Sequence, residues 1–589
     1  MALIEREKVN PDFTWKLTDI YLNEEAFEKD YKIAEEAVKK IHAFKETFTN
    51  SENSLREALD FYYDTSLLVE KLYIYSMLQK SGDNGDPNYQ TLEGRTQNLY
   101  VSFSSASSFI EPLILSSGKL DGFIKSDILK PYRRVLKEIK RGQSHTLSES
   151  EEKILSDLSD VSGSSKNTFE MLESVDMTFP IVTVNGEDTE LSHAQYGVLI
   201  KSENREVRKE AFEKYFSEFN KYINTFAATY SGSVKFDSFY AKTRKFGSSL
   251  ESALFSSNVP VSVYDNLISS VRNALPLMEK YIELRKKALN ISDIKTYDLY
   301  CPMVEDCDLK LSYEESKELV LKAMEPLGKR YNELLRKAFN ERWIDIYENK
   351  GKTTGAYSCG LYSVHPFVLL NYTNTLDDAF TVAHELGHAM HSYLSDEAQN
   401  YQDSDYKIMA AEVASTVNEV LLTKYLLKTE KDPKRKAYIL NHFLEGFRTT
   451  VFRQTLFAEF EKISHEMCEK GIPLTAKELS NVYKKLNEEY YKGVEIPELY
   501  SIEWARIPHF YNAFYVYQYA TGFSAAVKIA NDIEEMGNSE KYIEFLKTGG
   551  SDYPIEELKI AGVDLSSPET VENAMEMFKT SVEELSELI

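Results

Sequence analysis

Residues 375–395 read TLDDAFTVAHELGHAMHSYLS. Thr375, with Asp378 three residues on, has the form of a capping box, and Asp377 adds negative charge at the first turn, so a helix starts here. Inside it lies H-E-L-G-H, residues 384–388. Positions i and i+4 sit one above the other on a helix, so the imidazoles of His384 and His388 can converge on one ion. Two neutral imidazoles suit Zn2+, and Glu385 beside the first of them can reach a water on that ion. Such a water has a pKa near ~7 instead of ~15.7, within reach of a carboxylate base. With 10 His in 589 residues, chance supplies about 0.03 such motifs in a chain of this composition. A helix that merely carries polar residues on its solvent face is therefore the weaker reading. Gly387 in mid-helix costs about 1 kcal/mol relative to Ala, which makes sense if another backbone or a substrate comes close there.

A catalytic zinc takes three protein ligands and keeps a fourth position open. Two residues compete for the third place. His391 shares the general face, but the seven-residue step from His384 spans about 10 Å along a straight helix. Ligand nitrogens stand only ~2.0–2.1 Å from zinc, so His391 is expected to support the site or wall its pocket. Glu412 lies on the next helical stretch, 405–428, among the small residues Ala410, Ala411, Ala414 and Ser415, which allow close packing. Glu419, seven residues further on the same face, could orient a ligand imidazole. The pattern alone does not separate Glu412 from an ordinary helix glutamate; the small residues around it favour the ligand role.

Working outward, residues 355–373 (GAYSCGLYSVHPFVLLNYT) read as one or two strands in a chain that is otherwise helical. Apolar residues recur at three- and four-residue steps over 26–48 and 55–80, and helical patterns resume from 203 to the end, interrupted by TEKDPKR at 429–435. A break at 162–166 (SGSSK) precedes a β-like passage, 179–191, whose Asn185-Gly186 pair signals a hairpin turn. The expected organisation is an N-terminal helical domain, 1–190, ending in that hairpin, and a helical catalytic domain, 191–589.

Composition sets outer bounds. Lys and Arg number 69 against 94 Asp and Glu, a net charge of −25. Nucleic acid and anionic membrane both require a basic face and are not expected as partners. Hydrophobic residues at 42% exclude a largely disordered chain. The 24 Gly and 16 Pro make up about 7% of the chain against a usual ~12%, which favours long helices over turn-rich sheets. Four cysteines build no disulfide framework, and no apolar run approaches ~18 residues. The start, MALIEREKVN, has no basic stretch followed by an apolar run, so a cytoplasmic location is expected.

The H-E-L-G-H helix, the E-V-A-S segment 28 residues on, the preceding G-A-Y-S passage and the later stretch HFYNAFYVYQYATG (509–522) together resemble the M3 peptidases, in their oligoendopeptidase F branch. The resemblance covers essentially the whole chain. It implies a mainly α, prolate, multi-helix zincin-type peptidase, with a small β-sheet beside the active-site helix and a deep channel that admits short unfolded peptides. It implies one zinc ion per chain held by His384, His388 and Glu412, with Glu385 as the proton acceptor. It also implies that His509 and Tyr515 hydrogen-bond the substrate carbonyl and the oxyanion. Tyr517 and Tyr519 compete with Tyr515 for that role, although on a helix Tyr515 and Tyr519 share a face and Tyr517 points elsewhere. Gly355, Ala356 and Tyr357 would border the substrate, and strand 366–372, with Leu369 and Leu370, would offer an edge on which an extended peptide pairs.

The implied activity is endopeptidase action on oligopeptides. A dipeptidyl carboxypeptidase is the nearest rival, but no particular Arg suggests itself to grip a terminal carboxylate. A helical peptide-binding protein without catalysis is a further rival, against which the intact Glu385 speaks. His465-Glu466-Met467-Cys468 begins like a second zinc motif but is followed by Glu469, so a surface helix is expected there. Cys301 and Cys307 form no C-x-x-C pair, and Cys359 reads as a small buried thiol.

Overall fold

The computed structural model describes residues 3–184, 186–304 and 310–589. The described chain is mostly helical and divides into two compact units, each drawn from three separate segments. No helix among the described residues is long and apolar enough to cross a membrane.

The first unit takes Met1–Ser144, Asp308–Tyr425 and Ile529–Gly562. The two expected helical stripes are helices Glu24–Ile41, capped by Asn23, and Glu52–Gly82, opened by a Ser51/Ser54 capping box. Their apolar faces bury Phe27, Leu72 and Leu78 in one cluster that also contains Trp15, Phe103, Phe367 and Leu369. Residues far apart in sequence therefore share this core.

Its sheet has three short strands. Phe367–Leu369 lies in the middle, parallel to Ile344–Asp345 and antiparallel to Tyr357–Cys359. Strand 366–372 is thus not the edge expected from the sequence. Main-chain bonds from Val368 N to Trp343 O (2.9 Å) and from Leu370 N to Asp345 O (2.8 Å) occupy one side of it. Leu369 and Leu370 are 0% and 2% exposed, so their side chains serve the core and not a substrate. The outer strands are Ile344–Asp345 and Tyr357–Cys359.

A strap of N-terminal residues is sewn onto the other side of the sheet. Lys16 N donates to Arg342 O (3.1 Å) and Ile346 N to Phe13 O (3.0 Å). Trp15 Nε1 donates to Val368 O (2.7 Å). Arg6 forks onto the carboxylate of Asp345, which also pairs with Lys352 at 2.8 Å. Asp345 is 1% exposed, and a charge at that depth is tolerable only when paired.

The second unit takes His145–Cys307, Leu426–Lys528 and Val563–Ile589. It contains the expected hairpin, Ile181–Val184 against Glu187–Glu190, with Val184 opposite Glu187 and Gly186 at φ +86° in the turn. Asn185 and Cys307 lie outside the described residues. The expected break at 162–166 is only a junction: helix Glu149–Ser162 gives way at Gly163 to helix Ser164–Met171 within the same unit. The boundary expected at residue 190 divides the chain in sequence, whereas these units divide it in space. The hairpin belongs to the second unit, and residues 1–144 share their unit with the H-E-L-G-H segment.

Candidate active site

Helix Leu376–Ala398 begins as its sequence dictates. Thr375 Oγ1 accepts from Asp378 N (3.1 Å), and Asp378 Oδ2 accepts from Thr375 N (2.9 Å). The second helix of the site, Ile408–Thr429, crosses it at Gly387. A Cβ on Gly387 would stand 2.6 Å from Ser415 Cα and 2.7 Å from Ala414 O. A neighbouring backbone therefore fills the space that the glycine leaves, and the small residues around Glu412 let it in. Asn418 Nδ2 donates to Ala383 O (2.9 Å) and locks the register of the pair.

This crossing brings His384, His388 and Glu412 together, with one ligand atom from each lying within 4.8 Å of the others. The two Nε2 atoms are 3.2 Å apart. Nitrogens each ~2.0–2.1 Å from a tetrahedral ion stand about 3.4 Å apart, and two imidazoles with one carboxylate form a known catalytic zinc set, so these residues fit such an ion. Glu419 Oε1 lies 2.5 Å from His384 Nδ1, which leaves Nε2 of that ring free to ligate.

The electrostatics suit a cation. Burial pushes the Glu385 carboxyl up to about 7, with Glu412 and Glu419 adding to the rise against His384. Burial also raises Glu412. Burial lowers His388 to about 3, helped by the charge of His384. The same burial would lower His384, but Glu419 at its Nδ1 outweighs it and raises the ring to about 9. Three carboxylates around two imidazoles thus compete for too little positive charge.

His391 belongs to none of this. It is 0% exposed, stacked on Tyr406 at 3.7 Å between ring centres and lying 5.4 Å from Phe545. Neither of its ring nitrogens finds a hydrogen-bond partner among the described residues. The expected supporting or pocket-wall role is replaced by a core role, because the helix turns this residue inward. Gly355 is exposed and Ala356 and Tyr357 are half-buried at an outer strand of the sheet, and that sheet packs on the motif helix.

The second unit holds the other expected group. His509 sits on a 3-10 turn, Pro508–Tyr511, and Tyr515 just ahead of helix Tyr517–Met536. The His509 ring centre is 6.4 Å from Tyr515 and 6.1 Å from Tyr519, and the two tyrosines are 5.5 Å apart. Burial lowers the pKa of His509. Tyr517 does not join them: it is 3% exposed and packs 5.2 Å from Tyr264, which removes it from the pocket residues.

His465 overturns the expectation of a surface helix. It is 2% exposed, with Nδ1 2.8 Å from Glu461 O and Nε2 3.2 Å from Asp237 Oδ2. Sequence reasoning also passed over Glu461 and Phe514, which no spacing rule marks. The pairing of N-terminal Arg6 with Asp345 was likewise invisible in the local sequence.

A helix-borne His-Glu-x-x-His, with a carboxylate delivered by the next helix, defines a metallopeptidase of the zincin type. The model for peptidase family M3 matches residues 198–577, and one for oligopeptidase F matches residues 113–179. The chain is 44% identical to Oligopeptidase PepF of Bacillus subtilis, over 100% of this chain and 89% of that protein. It is 38% identical to Group B oligopeptidase PepB of Streptococcus agalactiae, over 99% and 98%. Crystal-structure oligoendopeptidase-F from Enterococcus faecium superposes with a TM-score of 0.74 at 37% identity, over 95% of this chain and 98% of that one. A solved chain from Chlamydophila abortus gives 0.93 at 35% identity, over 100% of both. The chain belongs to peptidase family M3.

Proposed function

We propose that this peptidase is a zinc-dependent endopeptidase that cuts internal bonds of short, unfolded oligopeptides in the cytoplasm. The observation that carries the reading is the convergence of His384, His388 and Glu412 beside a buried Glu385. The names of its relatives, oligopeptidases PepF and PepB and oligoendopeptidase-F, support the substrate class. The free thiols of Cys301, Cys359 and Cys468 suit a reducing compartment.

His384, His388 and Glu412 would hold one Zn2+ per chain. Bound there, the ion would supply Lewis acidity towards a peptide carbonyl and would lower the pKa of water. Glu419 keeps the His384 ring turned so that Nε2 faces the site. Glu385 takes a proton from water on its carboxylate and returns it to the nitrogen of the leaving amine. A carboxyl raised by burial suits a group that must both take and give back a proton. His509 and Tyr515, assigned by the resemblance of their segment, donate hydrogen bonds to the oxygen on which charge develops. Each such donor is worth ~2.7–4 kcal/mol in comparable sites. An extended peptide pairs with the outer strand Tyr357–Cys359, entered past Gly355 and Ala356. A hollow of about 540 Å3, lined in part by Ser358, Gly360, Ser392 and Asp396, supports that placement.

Peptides of graded length with both ends blocked test the reading, with products mapped by mass spectrometry in the presence and absence of a chelator. The expected result is internal cleavage that the chelator abolishes and that fades above a limiting length. Resistance of the blocked peptides, with C-terminal dipeptides released from their unblocked counterparts, would favour the dipeptidyl carboxypeptidase, and full-strength binding without hydrolysis the non-catalytic binder. Digestion of folded proteins would remove the restriction to short peptides.

A further inference from the structure

Phe514 has φ +57°, and it is the one aromatic among the described non-glycine residues with positive φ. A left-handed conformation strains an L-residue, and such strain persists only where the surroundings over-determine it. Here the surroundings are explicit. Phe514 N donates to Glu461 Oε1 at 3.0 Å. The Phe514 ring is 3% exposed, edge-on to Tyr264 at 5.8 Å and against His465 at 4.4 Å. The helix that carries Glu461, Arg453–Glu469, also carries His465, so one turn of it grips both the amide and the ring.

Glu461 is itself anomalous. It is 0% exposed, and its Oε2 has no hydrogen-bond partner among the described residues. A buried polar atom left unsatisfied is unfavourable, so a carboxyl here weakens the core in which it sits. Its side-chain bond goes to the amide directly before Tyr515. Burial, with Asp237 adding, raises its pKa well above the usual carboxylate range, although the Phe514 amide opposes this. A neutral acid offers that amide a carbonyl oxygen, which a glutamine also provides.

We propose that Glu461 is a positioning residue: by holding the Phe514 amide it fixes the left-handed turn that sets Tyr515 beside His509 and Tyr519. The catalytic consequence rests on the reading of Tyr515 as an oxyanion donor; the positioning does not. The test places 3-fluorotyrosine at position 515 of the full chain and compares Glu461→Gln, which keeps the acceptor, with Glu461→Leu, which removes it. Should the leucine variant not fold, Glu461→Met also lacks the acceptor and takes its place. The 19F resonance is expected to stay in place in Glu461→Gln and to shift or broaden in the apolar variant. In parallel, kcat should fall about tenfold or more in the apolar variant, with KM near the parent value and Glu461→Gln restoring the rate, since misplacement by ~1 Å can cost ~100-fold. An unmoved resonance in the apolar variant, or an equal shift in Glu461→Gln, overturns the proposal. A moved resonance with an unchanged kcat upholds the positioning and overturns the oxyanion role of Tyr515.

Discussion

The cluster of His384, His388 and Glu412 and the cluster of His509, Tyr515 and Tyr519 are built in opposite ways. The first stands on two continuous helices pressed together at Gly387, where the backbone of Ala414 and Ser415 leaves no room for a side chain. Its geometry follows from helical repeat and from the distance between two axes. The second stands on irregular chain: a 3-10 turn, a left-handed Phe514 and the first turn of a helix. Its geometry depends on anchors supplied from elsewhere, such as Glu461 and Tyr264 around Phe514. Regular structure places ligands that need fixed spacing, while irregular structure places groups whose approach can be tuned.

The largest expected effect falls on the helical cluster. Glu385→Gln should lower kcat by roughly 1,000-fold or more, given that a positioned acid–base group contributes about 10²–10⁴. Metal content by elemental analysis should match the parent, because Glu385 is outside the ligand set. Turnover of a fluorogenic peptide at the parent rate would sink the mechanism.

On the irregular cluster, Tyr515→Phe should cost about 100-fold in kcat, as for removal of one oxyanion donor. Tyr517→Phe should stay within about threefold, because that ring packs on Tyr264. Equal losses in the two variants would mean that the placement of this segment is wrong.

Returning to the helices, Glu419→Gln should weaken metal affinity by about 10–100-fold, the usual consequence of losing the partner of a ligand imidazole. Competition with a fluorescent chelator reads this directly, and an unchanged affinity would remove Glu419 from the site.

The smallest effect concerns His391, beside the ligands in sequence but in the core. Burial, with the charge of His388 adding, holds its pKa down to about 3, against 6.5 for an ordinary imidazole. Between those values the unfolded chain binds a proton that the folded chain refuses. Stability is therefore unaffected above about pH 6.5 and is lost as the pH falls below it, by about 1.4 kcal/mol per unit. His391→Leu should thus gain about 2 kcal/mol over the parent between pH 7.5 and pH 5, read from urea unfolding midpoints. A difference that does not change with pH would contradict the neutral, partnerless histidine.

These contrasts also explain what could be read in advance. The capping pair Thr375 and Asp378, the His384/His388 face and the cost of Gly387 all express rules that act over four residues, and sequence carries such rules openly. The support of His384 by Glu419 was legible for the same reason, since both helices keep their period. The sheet was legible as strands but not as an order. Nothing local in Phe367–Leu369 tells it from an edge, because its two neighbours come from residues 344–345 and 357–359. The inward turn of His391 and the burial of His465 depend on which side the packing partners arrive, and those partners are Tyr406 and Phe545 in one case and Phe514 in the other. Phe514 itself obeys no propensity; its backbone is set by a glutamate 53 residues away.

The strap that runs from Arg6 to Lys16 has a consequence in time. Arg6 and its partner Asp345 are 339 residues apart. At roughly 5–20 residues per second, a ribosome needs about 20–70 s to travel that distance. Throughout that interval the N-terminal residues wait for strands that have not been synthesised. Residues 6–16 are made early but seated late, so translation itself schedules when this sheet can be completed.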